Sequence, residues 1–326
     1  DMALAYCLYY IESNNLAQIT IYGEYLEKHP PTHEVEIIEN SSWSCVHGVE
    51  RWRDNCGCST GVHPGWTQAW RASLRRAMDW LRDALIKVYQ DQISLYVKDP
   101  WQVRDDYIEV ILDRSPENVE NFFSTHLIKE ITKQEKIKVL KLLEIQRHAM
   151  MMYTSCGWFF DEISGIETVQ IMRHAARAMQ LAKEISDIDF EPKYTKILEE
   201  APSNTTKFKN GSHIYQILVK PAIIDLLRVG IHYSLSSPFE EYPETTEIYC
   251  YTAQKQIYHS LEVGKQKLVV GKVKIRSEIT WEEGSITFAV LYLGNHYLNG
   301  RAQQDMKSEQ FSTMYQEIKN AFIKSD

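Results

Sequence analysis

Four residues within one short segment carry side chains that could bind a metal ion. They are Cys45, His47, Cys56 and Cys58, which offer three thiols and an imidazole at the spacing C-x-H-x8-C-x-C. This ligand set suits tetrahedral zinc, although familiar structural zinc sites use C-x2-C pairs, whose spacing lets both sulfurs face one metal. The alternatives are reduced, partly buried cysteines beneath a compact loop, and a disulfide from Cys45 to Cys56 or Cys58. The sequence favours reduced cysteines and no cofactor, with zinc at the four residues as the alternative.

A second segment, TSCGWFFDEISGIE from Thr154 to Glu167, places aromatic side chains beside acidic ones. Trp158 and Phe159 could stack on the apolar face of a sugar ring, while the carboxylate of Asp161 accepts hydrogen bonds from sugar hydroxyls. The other interpretation is a buried aromatic turn in which Asp161 caps the start of the next helix. The segment alone leaves both interpretations open.

Other residues of types that often occur in active sites are interpreted here as surface or structural residues. Adjacent carboxylates occur at 105–106, 161–162 and 240–241, but glycoside cleavage needs two carboxyl groups roughly 5 to 9 Å apart on opposite sides of one bond. These pairs are therefore interpreted as mostly solvated surface. The sequence has no nucleophile elbow, phosphate-binding loop, dinucleotide fingerprint or H-E-x-x-H motif. His148 and His174 lie on predicted helices and are interpreted as structural.

The elements that position these residues follow from hydrophobic periodicity. Apolar residues recur every three or four positions, as in amphipathic helices, over 2–12, 66–88, 133–152, 168–185, 212–233 and 309–324, with shorter helices set off by Pro100 and Pro116. Pro221 is expected to kink or break the fourth long helix. A period of two predicts a short strand over 32–40 and antiparallel strands over 247–264, 266–282 and 284–300.

The predicted fold is mainly an α-helical bundle followed by a smaller antiparallel β-rich module, an α+β architecture. The expected domains are residues 1–40, a helical domain over 41–236 that includes the Trp/Cys/His loop (residues 41–65), and a β-rich C-terminal module with a closing helix over 237–326. A chain of 326 residues can bury the cores of two domains.

Composition excludes several classes of partner. The formal net charge is -8, whereas nucleic acid and anionic membranes call for a basic face. The sequence contains neither a signal peptide nor an apolar stretch long enough to cross a bilayer. Cys7, Cys156 and Cys250 are isolated, unlike the cysteines of a secreted disulfide framework. We expect a cytoplasmic protein that binds no nucleic acid and no membrane.

Three segments together resemble a known protein family. ALAYCLYYIE, EYLEKHPPTHEVEIIENSSWSCVHGVERWRDNCGC and MMYTSCGWFFDEISGIETVQIMRHAARA are similar to the C-terminal half of glycoside hydrolase family 57-like proteins. Within that group they resemble the α-amylase/α-mannosidase-like branch whose C-terminal region is labelled a domain of unknown function. The resemblance covers nearly the whole chain and is strongest over residues 1–185.

The resemblance implies a retaining enzyme that hydrolyses or transfers α-linked glucans. Such proteins carry a nucleophile and an acid/base residue on an N-terminal distorted (β/α)7 barrel. The acid/base motif of this branch contains D-G-E shortly before an ALAY-type helix, and this sequence contains no D-G-E. The resemblance therefore implies that residues 1–40 are the last fragment of the barrel, that no residue here is catalytic, and that the chain alone is inactive.

The same resemblance assigns a substrate site. Trp43 matches an S-W motif of the family, and Trp158 and Phe159 match a motif similar to S-D-W-P-F, in which Gly157 replaces the Asp. The polar role then passes to Asp161, and His47 is expected to shape the site with the tryptophans. The implied partners are an oligo- or polysaccharide and the protein's own N-terminal barrel. The alternative is a non-catalytic interaction or metal-binding helical domain attached to a barrel enzyme.

Overall fold

The structure, a computed structural model, describes residues 2–42, 45–59, 61–295 and 297–324. The chain divides into two compact units, Asp1–Gly48 and Val49–Asp326. The predicted division into three domains, with boundaries after residues 40 and 236, stays a prediction.

The smaller unit contains helix α1 (Met2–Ser13), as predicted, and helix α2 (Tyr22–Lys28). The strand predicted over 32–40 is wrong, because these residues have no regular secondary structure. Val35, Ile37 and Ile38 are exposed, and no strand pairs with this segment among the ladders of the described residues. An alternating pattern forms a strand only where a neighbouring strand satisfies its backbone. The barrel origin of residues 1–40 stays a prediction.

The larger unit begins with a helical bundle. Its helices are α3 (Trp70–Ile93), α4 (Pro100–Leu112), α5 (Pro116–His126), α6 (Lys133–Met151), α7 (Cys156–Phe159), α8 (Ile166–Ser186), α9 (Glu191–Leu198), α10 (Gly211–Ile214) and α11 (Leu226–Ser236). The apolar faces of α3 to α10 meet in one core, which includes Leu74, Leu81, Leu140, Ile171 and Tyr194. This confirms the predicted bundle. None of the helices in the described part of the chain is long and apolar enough to cross a bilayer.

Local sequence signals explain where these helices begin and end. Pro100 and Pro116 occupy the first turns of α4 and α5, as predicted, since the missing N–H of proline costs nothing there. Thr132 and Glu135 form a capping box at the start of α6. Pro221 ends a π-helical turn (Tyr215–Val219) and lies in a 3-10 turn (Lys220–Ala222), so the predicted fourth helix is broken as expected.

The bundle is followed by an antiparallel meander. Its strands are β1 (Thr245–Ile248), β2 (Tyr251–Val263), β3 (Gln266–Ser277), β4 (Glu283–Gly294) and β5 (Tyr297–Gln304), in that order, and helix α12 (Ser308–Lys324) follows. The first and the third predicted strands are each two strands. Tyr249 adopts a left-handed conformation between β1 and β2, and Asn295 adopts one between β4 and β5. The β-rich module with its closing helix is otherwise confirmed.

The sheet is covered on both faces. Tyr233 and its neighbours on α11 pack with Ile286 on one face, and Phe311 and Phe322 of α12 pack on the other. Gly230 permits the close approach of α11, because a Cβ there would lie 2.6 Å from a side-chain carbon of Ile286.

Candidate functional site

The four residues predicted as metal ligands come together. One ligand atom from each of Cys45, His47, Cys56 and Cys58 lies within 4.8 Å of those of the other three. The Sγ of Cys45 lies 3.3 Å from the Nδ1 of His47. Ligand atoms bound at about 2.3 Å around a tetrahedral zinc lie about 3.8 Å apart, so small side-chain movements would bring all four onto one ion. The cluster could therefore hold a metal ion.

The cysteines of this cluster differ in burial. The disulfide considered for Cys45 is not formed among the described residues. Cys45 is buried, while Cys56 and Cys58 are half-buried. Gly57 between them has a φ of +75° and open space around its Cα. Backbone conformation, and not crowding, therefore requires glycine at this turn.

Arg71, on the first turn of α3, joins the loop to the second predicted segment. Its buried guanidinium donates to the backbone oxygens of Phe159 and Phe160 at 3.0 and 3.1 Å. One of its nitrogens lies 3.8 Å from the Sγ of Cys56. Burial lowers the pKa of Arg71, but a guanidinium remains charged in proteins. The positive charge of Arg71 therefore lies beside the Cys56 sulfur, and the thiolate is the form of cysteine that binds metals.

Arg51 makes a second connection between the same two segments. Its guanidinium lies 4.2 Å from the centroid of the Phe159 ring and donates to the Phe159 carbonyl at 3.4 Å. The ring of Trp52 lies 6.2 Å from that of Phe159. Phe160 follows with 40% of its surface exposed. We call Trp52, Phe159 and Phe160 the aromatic patch.

Trp158 lies behind this patch, in the core of the bundle. It is 1% exposed, and its indole nitrogen donates to the Met152 carbonyl at 3.2 Å. The rings of Trp70 and Tyr153 stack at 6.5 Å from it. A ligand would reach the Trp158 ring only if this packing opened, and its role as a sugar platform stays a prediction.

Close packing also explains why glycine precedes Trp158. A Cβ on Gly157 would lie 2.5 Å from a side-chain carbon of Ile171 on α8. An aspartate, which the related motif carries, does not fit where α7 meets α8 this closely.

The carboxylates of this segment are buried and bonded within the protein. Asp161 accepts a hydrogen bond from the Gln68 side chain at 3.1 Å, and Glu162 accepts one from the backbone N–H of Asn204 at 2.7 Å. The helix-capping interpretation of Asp161 is wrong, because α8 is capped by Gly165 without a side-chain bond. The interpretation of 161–162 as solvated surface is also wrong, since both side chains are buried.

Asn204 shows why the helix predicted from residue 66 begins at Trp70. Its side chain accepts from the backbone N–H of Thr67 at 3.0 Å and donates to the Thr67 carbonyl at 2.8 Å. These bonds hold Thr67 outside the helix.

Two residues of the predicted substrate site remain, His47 and Trp43. His47 is exposed, and Trp43 lies outside the described residues. Sequence reasoning missed Arg51 and Arg71, which organise the site. The one available signal was the position of Arg71 beside Trp70 in an otherwise apolar helical stripe, since a buried arginine requires partners.

Comparison with known proteins identifies a family and no function. A family model described as "Domain of unknown function (DUF3536)" matches residues 66–326. The match confirms the predicted domain-of-unknown-function label for this part of the chain. No curated protein and no solved structure matches it.

Proposed function

We propose that this chain, which belongs to the family described as Domain of unknown function (DUF3536), completes the substrate cleft of a retaining glycoside hydrolase or glucanotransferase. The substrate is an α-linked glucan, and the nucleophile and acid/base residue lie outside this sequence. The proposal includes the cytoplasmic location expected from the cysteines, and it takes its enzyme class from the resemblance to glycoside hydrolase family 57-like proteins.

The observation that carries the proposal is the meeting of two segments distant in sequence. Arg51 and Arg71 hold the Trp/Cys/His loop against Phe159 and Phe160. These are the two segments to which the resemblance assigns substrate contacts. The aromatic patch supplies ring faces of the kind that stack on pyranoses. In this proposal the exposed Phe160 takes the place of the buried Trp158 as the principal platform.

The proposed metal is zinc, held by Cys45, His47, Cys56 and Cys58. Three thiolates and one imidazole form a closed tetrahedral set without an open position, as in structural zinc sites. Zinc would therefore fix the shape of the loop beside the aromatic patch, because metal binding contributes directly to the folding free energy of the residues that it joins.

A tryptophan-fluorescence titration tests the glucan proposal. Maltose to maltoheptaose would be added to this chain and to a version extended upstream. We expect saturable quenching in the extended protein, at least tenfold weaker binding in Phe160→Ala, and unchanged binding in the control Tyr297→Ala, whose exposed ring lies in neither of the two aromatic segments. No response from either folded protein would contradict the α-glucan assignment.

Metal analysis tests the zinc proposal separately. We expect one zinc per chain after purification, and thiolate charge-transfer absorption after cobalt(II) replacement. Cys58→Ser should lose the metal, whereas Cys156→Ser, whose exposed thiol lies outside the cluster, should keep it. Metal retained at full occupancy by Cys58→Ser, or absent from the unsubstituted protein, would contradict the proposal.

The Cys/His cluster itself favours the second candidate, a metal-binding interaction domain. One zinc per chain together with no glucan binding, even in the extended protein, would establish this candidate over the first.

A further inference from the structure

The β-rich module contains a cavity of about 590 Å³, within the size range of small-molecule sites. It lies between the end of α11, the segment 237–242 that follows, and strands β2 and β3. Its lining includes Tyr233, Phe239, Tyr242, Lys255 and Tyr258. We call it the tyrosine pocket.

One of the tyrosines that line this pocket carries a buried hydroxyl without a partner. Tyr233 is 1% exposed, and its hydroxyl oxygen meets no hydrogen-bonding group among the described residues. The neighbouring Tyr258 differs, because its hydroxyl donates to the Ser237 carbonyl at 2.9 Å. Burying an unpaired hydroxyl is unfavourable, so a group that enters the pocket and pairs with Tyr233 gains free energy. Burial raises the pKa of Tyr233 to about 12, so this hydroxyl keeps its proton at neutral pH.

Aromatic rings form the walls around that hydroxyl. The rings of Tyr233 and Tyr242 stack with centroids 4.8 Å apart. Phe239 is 59% exposed, and its ring meets Tyr292 edge-on at 5.1 Å. The pocket is therefore lined by aromatic rings, and one of the lining tyrosines carries the unpaired hydroxyl.

The charges around the pocket balance. Lys255 and Lys267 line it together with Glu240 and Glu241. Lys255 donates to the Tyr242 carbonyl at 2.7 Å, and Lys267 pairs with a glutamate outside the lining at 3.2 Å. Two cations beside two carboxylates do not select a charged ligand, but they supply donors and acceptors to a neutral molecule that carries hydroxyls.

We propose that the tyrosine pocket binds a neutral saccharide. The Tyr233 hydroxyl pairs with a hydroxyl of the sugar, the exposed ring face of Tyr242 or Phe239 covers its apolar face, and Glu240 or Glu241 accepts a further hydroxyl at the rim. This site lies on the β-rich module, apart in sequence from the aromatic patch. It does not rest on the proposed function, and a negative result for either proposal leaves the other unaffected.

Calorimetric titration of the full chain with maltotriose, cellotriose and glucose 6-phosphate tests the proposal. We expect a neutral trisaccharide to bind and the phosphate ester to bind no better. Tyr233→Phe should weaken the binding by about 2- to 10-fold, because it removes one neutral hydrogen bond. Tyr242→Ala should weaken it further, and Phe160→Ala should leave it unchanged.

Unfolding in urea distinguishes a binding hydroxyl from a structural one. Without ligand, Tyr233→Phe should unfold at the wild-type midpoint or above, since it removes an unpaired group. The matched control Tyr107→Phe loses a hydroxyl that donates to Glu144 at 2.7 Å. It should unfold at lower urea while binding saccharide normally. The proposal is overturned if neither trisaccharide binds, if Tyr233→Phe binds as wild type, or if Tyr233→Phe lowers the midpoint.

Discussion

Two regions of this protein combine aromatic rings with adjacent carboxylates, and they use them in opposite ways. In the bundle, Trp158 is buried and Asp161 and Glu162 are bonded internally. In the β-rich module, Glu240 and Glu241 are exposed beside a cavity, and the Tyr233 hydroxyl is unpaired. Residue types alone do not distinguish a structural cluster from a binding site. The difference lies in whether the polar groups already have partners within the protein.

The surroundings of each region explain this difference. Trp158 lies in the four-residue helix α7, which packs closely against α8, and its ring stacks with that of Trp70 of α3. The tyrosine pocket lies at an edge, where α11 ends and strand β2 shifts register between Lys255 and Ile257. Such irregularities bend a strand and redirect its side chains. The aromatic rings at this edge therefore line a cavity and are not closely packed on every side.

The largest expected effect tests the core role of Trp158. Trp158→Ala should lower the free energy of unfolding by about 3–5 kcal/mol, because it removes a buried indole and leaves a cavity. Urea unfolding followed by circular dichroism measures this loss. Phe160→Ala, at an exposed ring next in the same segment, should cost less than about 1 kcal/mol. Equal losses in the two variants would break the contrast between core and surface within this segment.

The pH dependence of stability tests whether the helical bundle also buries His148. The Nδ1 atoms of His148 and His174 lie 3.0 Å apart. Burial lowers the pKa of His148 to about 4. The negative charge of Glu144 raises this pKa, whereas the positive charges of Arg147 and Arg177 lower it further. The unfolded state therefore binds a proton at higher pH than the folded state. Stability is full above about pH 6.5 and falls as the pH drops toward 4.

When the pH is lowered from 7 to 5, we expect the titration of His148 to reduce the free energy of unfolding by about 2 kcal/mol. Urea unfolding at the two values measures the change, and His148→Gln, which cannot titrate, should lose most of it. A wild-type protein equally stable at both values would show that His148 is solvated and not buried.

A smaller effect tests the buried carboxylates. Glu162→Gln keeps the shape of the side chain but weakens the bonds from the Ser203 hydroxyl and the Asn204 N–H, both 2.7 Å long. We expect a loss of about 1–3 kcal/mol, since bonds to a charged acceptor are stronger than neutral ones. Glu241→Gln, at an exposed carboxylate of the tyrosine pocket, should unfold as wild type. If Glu241→Gln were the more destabilising, the roles of the two regions would be reversed.

Much of the fold could be predicted because its signals are local. The periodicity of 133–152, with Thr132 before it and Glu135 inside it, predicts α6 almost residue for residue. Pro221 likewise predicts the break before α11. Where the prediction failed, at 32–40, the alternating pattern was present but no partner strand was. The four metal-ligand candidates were recognisable from residue types that few other roles bring together so closely.

What the sequence by itself determined is the set of elements, their order and the four ligand candidates, because propensity, capping and spacing act over a few residues. Only the tertiary structure decided which aromatic and acidic residues remain available to a ligand. Trp158 and Tyr242 look alike in sequence, each beside aromatic and acidic neighbours, but one is enclosed by α3 and α8 and the other lines a cavity. Burial depends on atoms brought together from distant parts of the chain, which no local pattern records.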